Sequence, residues 1–309
     1  MQQKTRVAYL ALAFLVVAAC TSPPEAQPSA GRSPSPSPSP APSPTPTAAA
    51  PSAFVPAANA KLPRTAGSLA RAIRLASASA RRSISAWLED DPSARARPPR
   101  KFVLQVLYRQ RMYRSLARAP RLARRVADRL GRPLARSLSR NVRAGTRLVS
   151  LVTPVKPDEL FDTQRPEPPR LLLRFYRRAQ KRFDVDWEVL AAINFVETRF
   201  GRIRSSSVAG AQGPMQFIPS TWEAYGMGGD VHDPKDAVMG AANYLSASGA
   251  PANYQAALYA YNPAQEYVDA IWTYAREIMR DPRNYYIYYA YQVFMLTTEG
   301  DVRLTGPGT

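Results

Sequence analysis

The chain of 309 residues has a single cysteine, Cys20, and a single histidine, His232. One cysteine excludes an internal disulfide and any cysteine-based zinc cluster. One histidine excludes a three-histidine metal site and would make an acyl-transfer triad depend wholly on His232, which has no serine or cysteine in a recognisable catalytic context and reads as structural. The longest apolar run, Val7 to Ala19, has 13 residues, short of the roughly 20 needed to cross a bilayer. Acidic residues are scarce, 23 against 42 Lys and Arg, and the shortage is local. Residues 61–152 hold 23 basic and 4 acidic side chains, a net +19, whereas residues 1–60 come to +2 and residues 153–309 to −2. A surplus of that size implies an anionic partner for the middle segment and says nothing about the C-terminal half.

What is present begins with an export pattern. Lys4 and Arg6 precede the apolar run, which ends Val17-Ala18-Ala19-Cys20 and resembles the lipobox of bacterial lipoproteins. The reading is a signal peptide over 1–19, lipidation at Cys20 and a membrane anchor there, placing the chain outside the cytoplasmic membrane in the cell-wall space. The plainer alternative is an ordinary secretory signal with an incidental thiol. Residues 20–62 then read as a disordered linker. Residues 21–60 hold 12 of the 30 prolines, in Ser-Pro, Ala-Pro and Thr-Pro alternation, a pattern that favours extended polyproline II over any core. Forty such residues would reach roughly 120 Å at about 3.1 Å each. A proline-rich ligand for SH3-type domains is the other reading, and export removes it.

Residues 63–152 are helical in pattern. Leu69, Ile73, Ala76, Ala80, Ile84 and Trp87 step by threes and fours, and a second helix is predicted from Lys101 to about Ala117. Eleven arginines, from Arg111 through Arg114, Arg118, Arg140 and Arg143 to Arg147, are also spaced only by threes and fours. They form either a solvated helix face or a surface for an anionic wall polymer or lipid. Nucleic acid is excluded by the export signal and by the lack of any motif that reads it.

From residue 165 onward the chemistry-bearing residues appear. Leu171 to Phe183 reads as an amphipathic helix, and Asp184-Val185-Asp186 as the cap of the next, running from Trp187 to Phe200 and closed by Gly201. Asp186, Leu190, Ile193 and Glu197 form one stripe on it. A carboxyl flanked by Val196 and Phe200 near a helix C-terminus has its charged form disfavoured, so Glu197 is expected to titrate high, as suits a general acid. Gly210 and Gly213 permit a tight turn before Met215-Gln216-Phe217, an apolar wall with an amide able to bind a sugar. Tyr261-Asn262 ends a later helix. Asp230, Asp233 and Asp236 fail the calcium-loop pattern, because His232, Pro234 and Lys235 occupy its other positions. They read as a capped helix start. The tyrosines at 285, 286, 288, 289 and 291 read as packing more than as sugar-stacking surfaces, in an extension over 282–309 that turns near Glu299-Gly300-Asp301.

Glu197-Thr198, then Ser207-x-x-Gly210-Ala211-x-Gly213-x-Met215-Gln216, then Ala260-Tyr261-Asn262 together resemble the three-part signature of the lytic murein transglycosylases, over roughly residues 165–281. The Glu-Thr-Arg-Phe-Gly and Gly-Gly-Asp-Val-His-Asp-Pro stretches are most similar to the branch that includes membrane-bound transglycosylase B. Thr198 stands where many members have Ser, Pro214 where Leu is common and Pro263 where Ala-Gly is common. The resemblance implies a mainly α-helical, lysozyme-like catalytic domain acting on peptidoglycan glycan strands as a monomer, with no cofactor and no metal. It implies Glu197 as sole acid/base, Ser207 hydrogen-bonding near it and near the acetamido group, Gly213, Met215 and Gln216 in the glycan-binding loop, and Tyr261 and Asn262 orienting Glu197 and the sugar. The implied reaction cleaves the bond between N-acetylmuramic acid and N-acetylglucosamine with a 1,6-anhydro product. The alternatives are a hydrolytic muramidase using one of the carboxylates at 230, 233 or 236, and a non-catalytic glycan-binding lipoprotein.

Overall fold

A computed structural model describes residues 54–207 and 209–307. The signal peptide, Cys20 and the linker up to residue 53 lie outside the described residues. Within them the chain is mainly helical, as expected, with eleven helices and one two-stranded hairpin. None of these helices is long and apolar enough to cross a membrane.

The first helix, α1 (Ala66–Glu89), starts at a reciprocal cap between Thr65 and Ser68 and buries Leu69, Ile73, Ala76, Ala80 and Ile84, the stripe read from the sequence. The others of the basic segment are α2 (Arg100–Ala117), α3 (Pro120–Ala127) and α4 (Arg132–Ser150). Proline at or next to the first position of α3 and α4 separates these helices. Leu69, Ile73, Met112, Leu116, Val126 and Leu138 close a small core among the four. The end of the linker is not disordered. Phe54 sets its ring edge-on to Tyr108 at 5.7 Å, Gln105 Nε2 donates to the Phe54 carbonyl at 2.7 Å, and Arg111 Nη1 donates to the Ala60 carbonyl at 2.8 Å. Residues 54–62 are held because α2 satisfies their backbone, a tertiary effect that composition does not reveal.

Next come α5 (Pro169–Phe183), α6 (Trp187–Thr198), α7 (Pro219–Tyr225), α8 (Pro234–Ala247), α9 (Tyr254–Tyr261), α10 (Gln265–Arg280) and α11 (Arg283–Tyr289). The hairpin β1 (Phe294–Thr297) and β2 (Gly300–Arg303) follows, pairing Phe294 with Arg303 and Thr297 with Gly300. Val155 bridges to Thr297, so the strand edge is partly covered. The central helix is α6, apolar on every side, with Val189, Leu190, Ala191, Ala192, Ile193 and Phe195 buried. The main core around it takes in Ala80 and Ile84 of α1, Phe102 and Val106 of α2 and Ala144 of α4. The basic helices therefore share a core with the helices that follow. Tyr285, Tyr286, Tyr288, Tyr289 and Tyr291 are all buried; the Tyr285 hydroxyl donates to the Pro169 carbonyl at 2.7 Å and that of Tyr288 to Asn141 Oδ1 at 2.9 Å.

The arginine series splits. Arg114 and Arg118 clasp Asp301 of β2, Arg140 meets Glu277 at 2.6 Å and Arg147 meets Asp269 at 2.8 Å. Arg121, Arg125, Arg129, Arg132, Arg136 and Arg143 are exposed, and none pairs with an acid among the described residues. A single solvated face is thus corrected to two, one turned to the acids of the C-terminal half and one outward.

Candidate active site

Glu197 occupies the last turn of α6. The helix ends at Thr198, two residues earlier than expected, because Arg199, Phe200 and Gly201 all take positive φ, at 54°, 63° and 82°. Left-handed backbone costs a non-glycine residue roughly 1 kcal/mol, so something must hold it. Thr198 does so from a buried position: its hydroxyl donates to the Pro214 carbonyl at 2.6 Å and accepts from the Gly201 amide at 2.9 Å. Asn194, one turn back, donates to the same carbonyl at 2.7 Å and accepts from Tyr176 at 2.6 Å. This network fixes the end of α6 against the Gly213-Pro214 turn. The threonine noted in the sequence as a variant of serine preserves the hydroxyl that the lock requires.

The Glu197 carboxyl is partly exposed to a cleft and otherwise enclosed by protein. Burial pushes its pKa up to about 8, against a hydrogen bond from Tyr267 and the charge of Arg199, which both lower it. Glu197 is therefore protonated at neutral pH, as the apolar setting on α6 led us to expect. Tyr267 donates to Oε1 at 2.6 Å, and its own pKa is raised well above 10, chiefly by burial, so it remains a donor. The other oxygen, Oε2, has no hydrogen-bond partner among the described residues.

Orientation of Glu197 thus comes from Tyr267 on α10, not from Tyr261 and Asn262. Tyr261 at the end of α9 gives its hydroxyl to the Met215 carbonyl at 2.7 Å. Asn262 is buried at the C-cap of α9 and does not line the cleft. Tyr267 was missed because no local motif marks it. The signal was the i, i+4, i+7 spacing of Tyr267, Ile271 and Tyr274, which turns one face of α10 inward, together with the need of a buried phenol for a partner.

Local hydrogen bonds and close backbone packing shape the loop between Ser207 and Phe217. Ser207 Oγ accepts from the Ala211 amide at 2.9 Å and its residue lines the cleft. Gly213 has φ of 70°, and a Cβ there would stand 1.9 Å from the Val231 carbonyl oxygen, so only glycine fits. Gln216, also left-handed at φ 52°, lines the cleft but turns its amide back to the Gly213 carbonyl at 3.0 Å. Met215 is 0 % exposed and cannot wall a substrate. Its side chain is core, and its carbonyl is the anchor for Tyr261. Of the residues assigned to the glycan, the structure thus brings Ser207 and Gln216 to the cleft with Glu197; Gly213 and Met215 build the loop, Tyr261 braces it through the Met215 carbonyl, and Asn262 caps α9 outside the cleft lining.

The cleft measures about 260 Å³. It is lined by Glu197 and Arg199, by Ser205, Ser206, Ser207 and Gln216, by Val142, Thr146 and Val149 of α4, and by Phe294 and Leu296 of β1. The basic helices and the C-terminal hairpin are therefore parts of the site. Among the described residues that line the cleft, Glu197 is the one carboxylate. The acids at 230, 233 and 236 lie elsewhere and are engaged locally. Asp233 caps α8 by accepting from the amides of Lys235 and Asp236 at 2.8 and 3.0 Å, Asp230 accepts from the His232 amide at 2.8 Å, and Asp236 pairs with Lys235 at 3.1 Å.

With this geometry in place, residues 174–276 match the family described as Transglycosylase SLT domain. That stretch contains Glu197, Thr198, the Ser207–Phe217 loop, Tyr261 and Tyr267. No curated protein and no solved structure matches the chain.

Proposed function

We propose, from the premise that the chain carries a transglycosylase SLT domain of the lysozyme-like superfamily and so cleaves glycans in the general manner of that domain, that it is a peptidoglycan lytic transglycosylase. One observation carries the finer reading: a single carboxyl, held protonated, in a cleft with no second carboxylate among its described lining residues. Glycosidases that use water ordinarily need a second carboxylate, about 5–5.5 Å away to attack the sugar or about 6.5–9.5 Å away to activate water. One carboxyl suffices when the nucleophile belongs to the substrate.

The protonated Glu197 gives its proton to the oxygen between the muramoyl and glucosaminyl sugars, and that bond breaks. The resulting carboxylate takes the proton of the muramoyl 6-hydroxyl as its oxygen bonds to the anomeric carbon of the same ring. The product ends in a 1,6-anhydro sugar, no water is consumed and Glu197 is protonated again. Tyr267 holds one oxygen of the carboxyl throughout, leaving Oε2 for the proton transfers. The role would be cell-wall remodelling at the outer face of the cytoplasmic membrane. Val17-Ala18-Ala19-Cys20 supports a lipid anchor there, and the six outward arginines between Arg121 and Arg143 support attachment to an anionic surface.

The test is digestion of purified wall followed by mass spectrometry. Fragments should end in the anhydro form; reducing ends instead would establish hydrolysis. Glu197→Gln should abolish wall clearing while the protein still binds sacculi.

A further inference from the structure

Arg199 is a charged group of the cleft that the reaction does not use. It is the first residue beyond α6, and its left-handed backbone leaves its side chain lining the same cleft as Glu197. The guanidinium lies 4.5 Å above the Phe195 ring. Its Nη1 donates to the Phe195 carbonyl and, at 3.4 Å, to that of Val196. Its other nitrogens have no hydrogen-bond partner among the described residues, and no carboxylate there lies within ion-pair distance of it. The arginines of α2 and α4 that face the C-terminal half are different, since Arg114, Arg118, Arg140 and Arg147 each have an aspartate or glutamate. The ionisable groups that act on Arg199 include Tyr274, Arg114, Tyr291 and Glu197, and the like charge of Arg202, which donates to the Arg199 carbonyl at 2.9 Å. The two phenols and Glu197 are uncharged at neutral pH, and Arg114 is committed to Asp301. Burial without an anion pulls the Arg199 pKa down to about 10. A cation this enclosed and this uncompensated is stabilised by an anion delivered into the cleft.

We propose that Arg199 is a carboxylate-binding residue beside the catalytic acid, recognising an acid group that the glycan strand brings to the muramoyl ring. The inference rests on the peptidoglycan reading of the site. Hydroxyl and acetamido groups are neutral; the acid of such a strand is the lactyl carboxylate of the muramoyl sugar where the peptide has been removed, or a carboxylate of the peptide where it is attached. Both depend from the ring whose anomeric carbon reacts, so either reaches a cation next to Glu197. The planar fork of an arginine held over an aromatic ring suits a carboxylate better than the point charge of a lysine.

Binding is measured on the full chain carrying Glu197→Gln, which keeps strands intact. Three ligands are used: soluble strands with peptide, strands stripped by an amidase so that the lactyl carboxylate is free, and a neutral chitin oligosaccharide. Adding Arg199→Gln should weaken binding to at least one acid-bearing ligand about tenfold, the size of one charge-assisted hydrogen bond, and leave the chitin oligosaccharide unchanged. Arg199→Lys should fall between. Loss on the peptide strand alone assigns the acid to the peptide, and loss on the stripped strand assigns it to the lactyl group. Equal loss on chitin, or no loss on any ligand, overturns the proposal. Because Arg199 also caps α6, the melting temperature of each variant is recorded, and a second measurement uses the Glu197→Gln protein alone: its preference for acid-bearing strands over chitin should shrink as salt rises, and a salt-independent preference counts against Arg199. If that protein binds no muramoyl strand at all, the peptidoglycan reading fails as well, a result distinct from strands that bind without help from Arg199.

Discussion

The basic helices before residue 152 and the stretch from 174 to 276 use arginine in opposite ways. In the first, Arg114, Arg118, Arg140 and Arg147 reach across to acids of the C-terminal half and are neutralised there, while six others remain in water. In the second, Arg199 sits in the cleft without an acid, and the one nearby carboxyl, Glu197, is kept protonated by burial. Arg114 and Arg118 also line the cleft but are answered there by Asp301, whereas Arg199 in the same cleft is left without an acid. An ion pair satisfied within the protein stabilises and then has little left to offer a ligand, whereas an unsatisfied group costs stability and is available for chemistry.

The comparison can be broken most severely by separating the two regions. α1, α2 and α4 contribute Ala80, Ile84, Phe102, Val106 and Ala144 to the main core, and other residues of α2 and α4 line the cleft. A chain beginning at residue 153 should therefore lose cooperative unfolding and all wall-clearing activity. A truncated protein that melts sharply and clears wall would show the layer to be a separate module. Within the cleft, Tyr267→Phe should lower kcat roughly tenfold to a hundredfold, in the range of a misplaced general acid. The direction of its pH effect follows from the cause. The Tyr267 hydrogen bond lowers the Glu197 pKa, so removing it raises that pKa above about 8. Activity that requires the protonated acid is lost as pH rises through the pKa, so the alkaline limb of the rate profile should move upward. A limb that moves down would mean that Tyr267 acts on another group.

In the helical layer the expected damage is to stability. Glu277 is 2 % exposed and is held by Arg140 at 2.6 Å, by Ser137 at 2.6 Å and by Arg280 at 3.1 Å. Arg140→Ala should cost roughly 3 kcal/mol in denaturant unfolding, by leaving a buried carboxylate undercompensated, with the pH dependence of kcat unchanged. Arg136→Gln, on the outward face, should change stability by less than about 0.5 kcal/mol. A larger loss would show that the exposed arginines also serve the fold.

Much of the site could be read in the residues themselves. The apolar neighbours of Glu197 on α6 and its place near the helix end were enough to expect a raised pKa, since that effect is local. Gly213 was legible as a turn residue, though the Val231 carbonyl that forbids any side chain there was not. The sequence offers Met215 as an apolar wall and the family resemblance places Tyr261 at the sugar, yet Met215 packs into the core and the Tyr261 hydroxyl bonds the Met215 carbonyl to brace that loop. The sequence marks Gly201 as the stop of α6, but the helix ends two residues before the expected Phe200 because Arg199, Phe200 and Gly201 are all left-handed, a turn held by Thr198 and Asn194.

By itself the sequence determined the helices, through the periodic burial of Leu69 to Ile84 and the capping at Thr65 and Asp233, and it marked Glu197 as a carboxyl with a raised pKa, through its setting on one helix. These are effects of neighbours within a turn or two, where chain order and spatial order coincide. The tertiary structure alone decided which hydroxyl holds the acid, which arginines are neutralised and which residues wall the cleft. Tyr267 meets Glu197 across 70 positions and Arg114 meets Asp301 across 187. No periodicity records a partner at that distance, because it is selected by how the helices pack against one another.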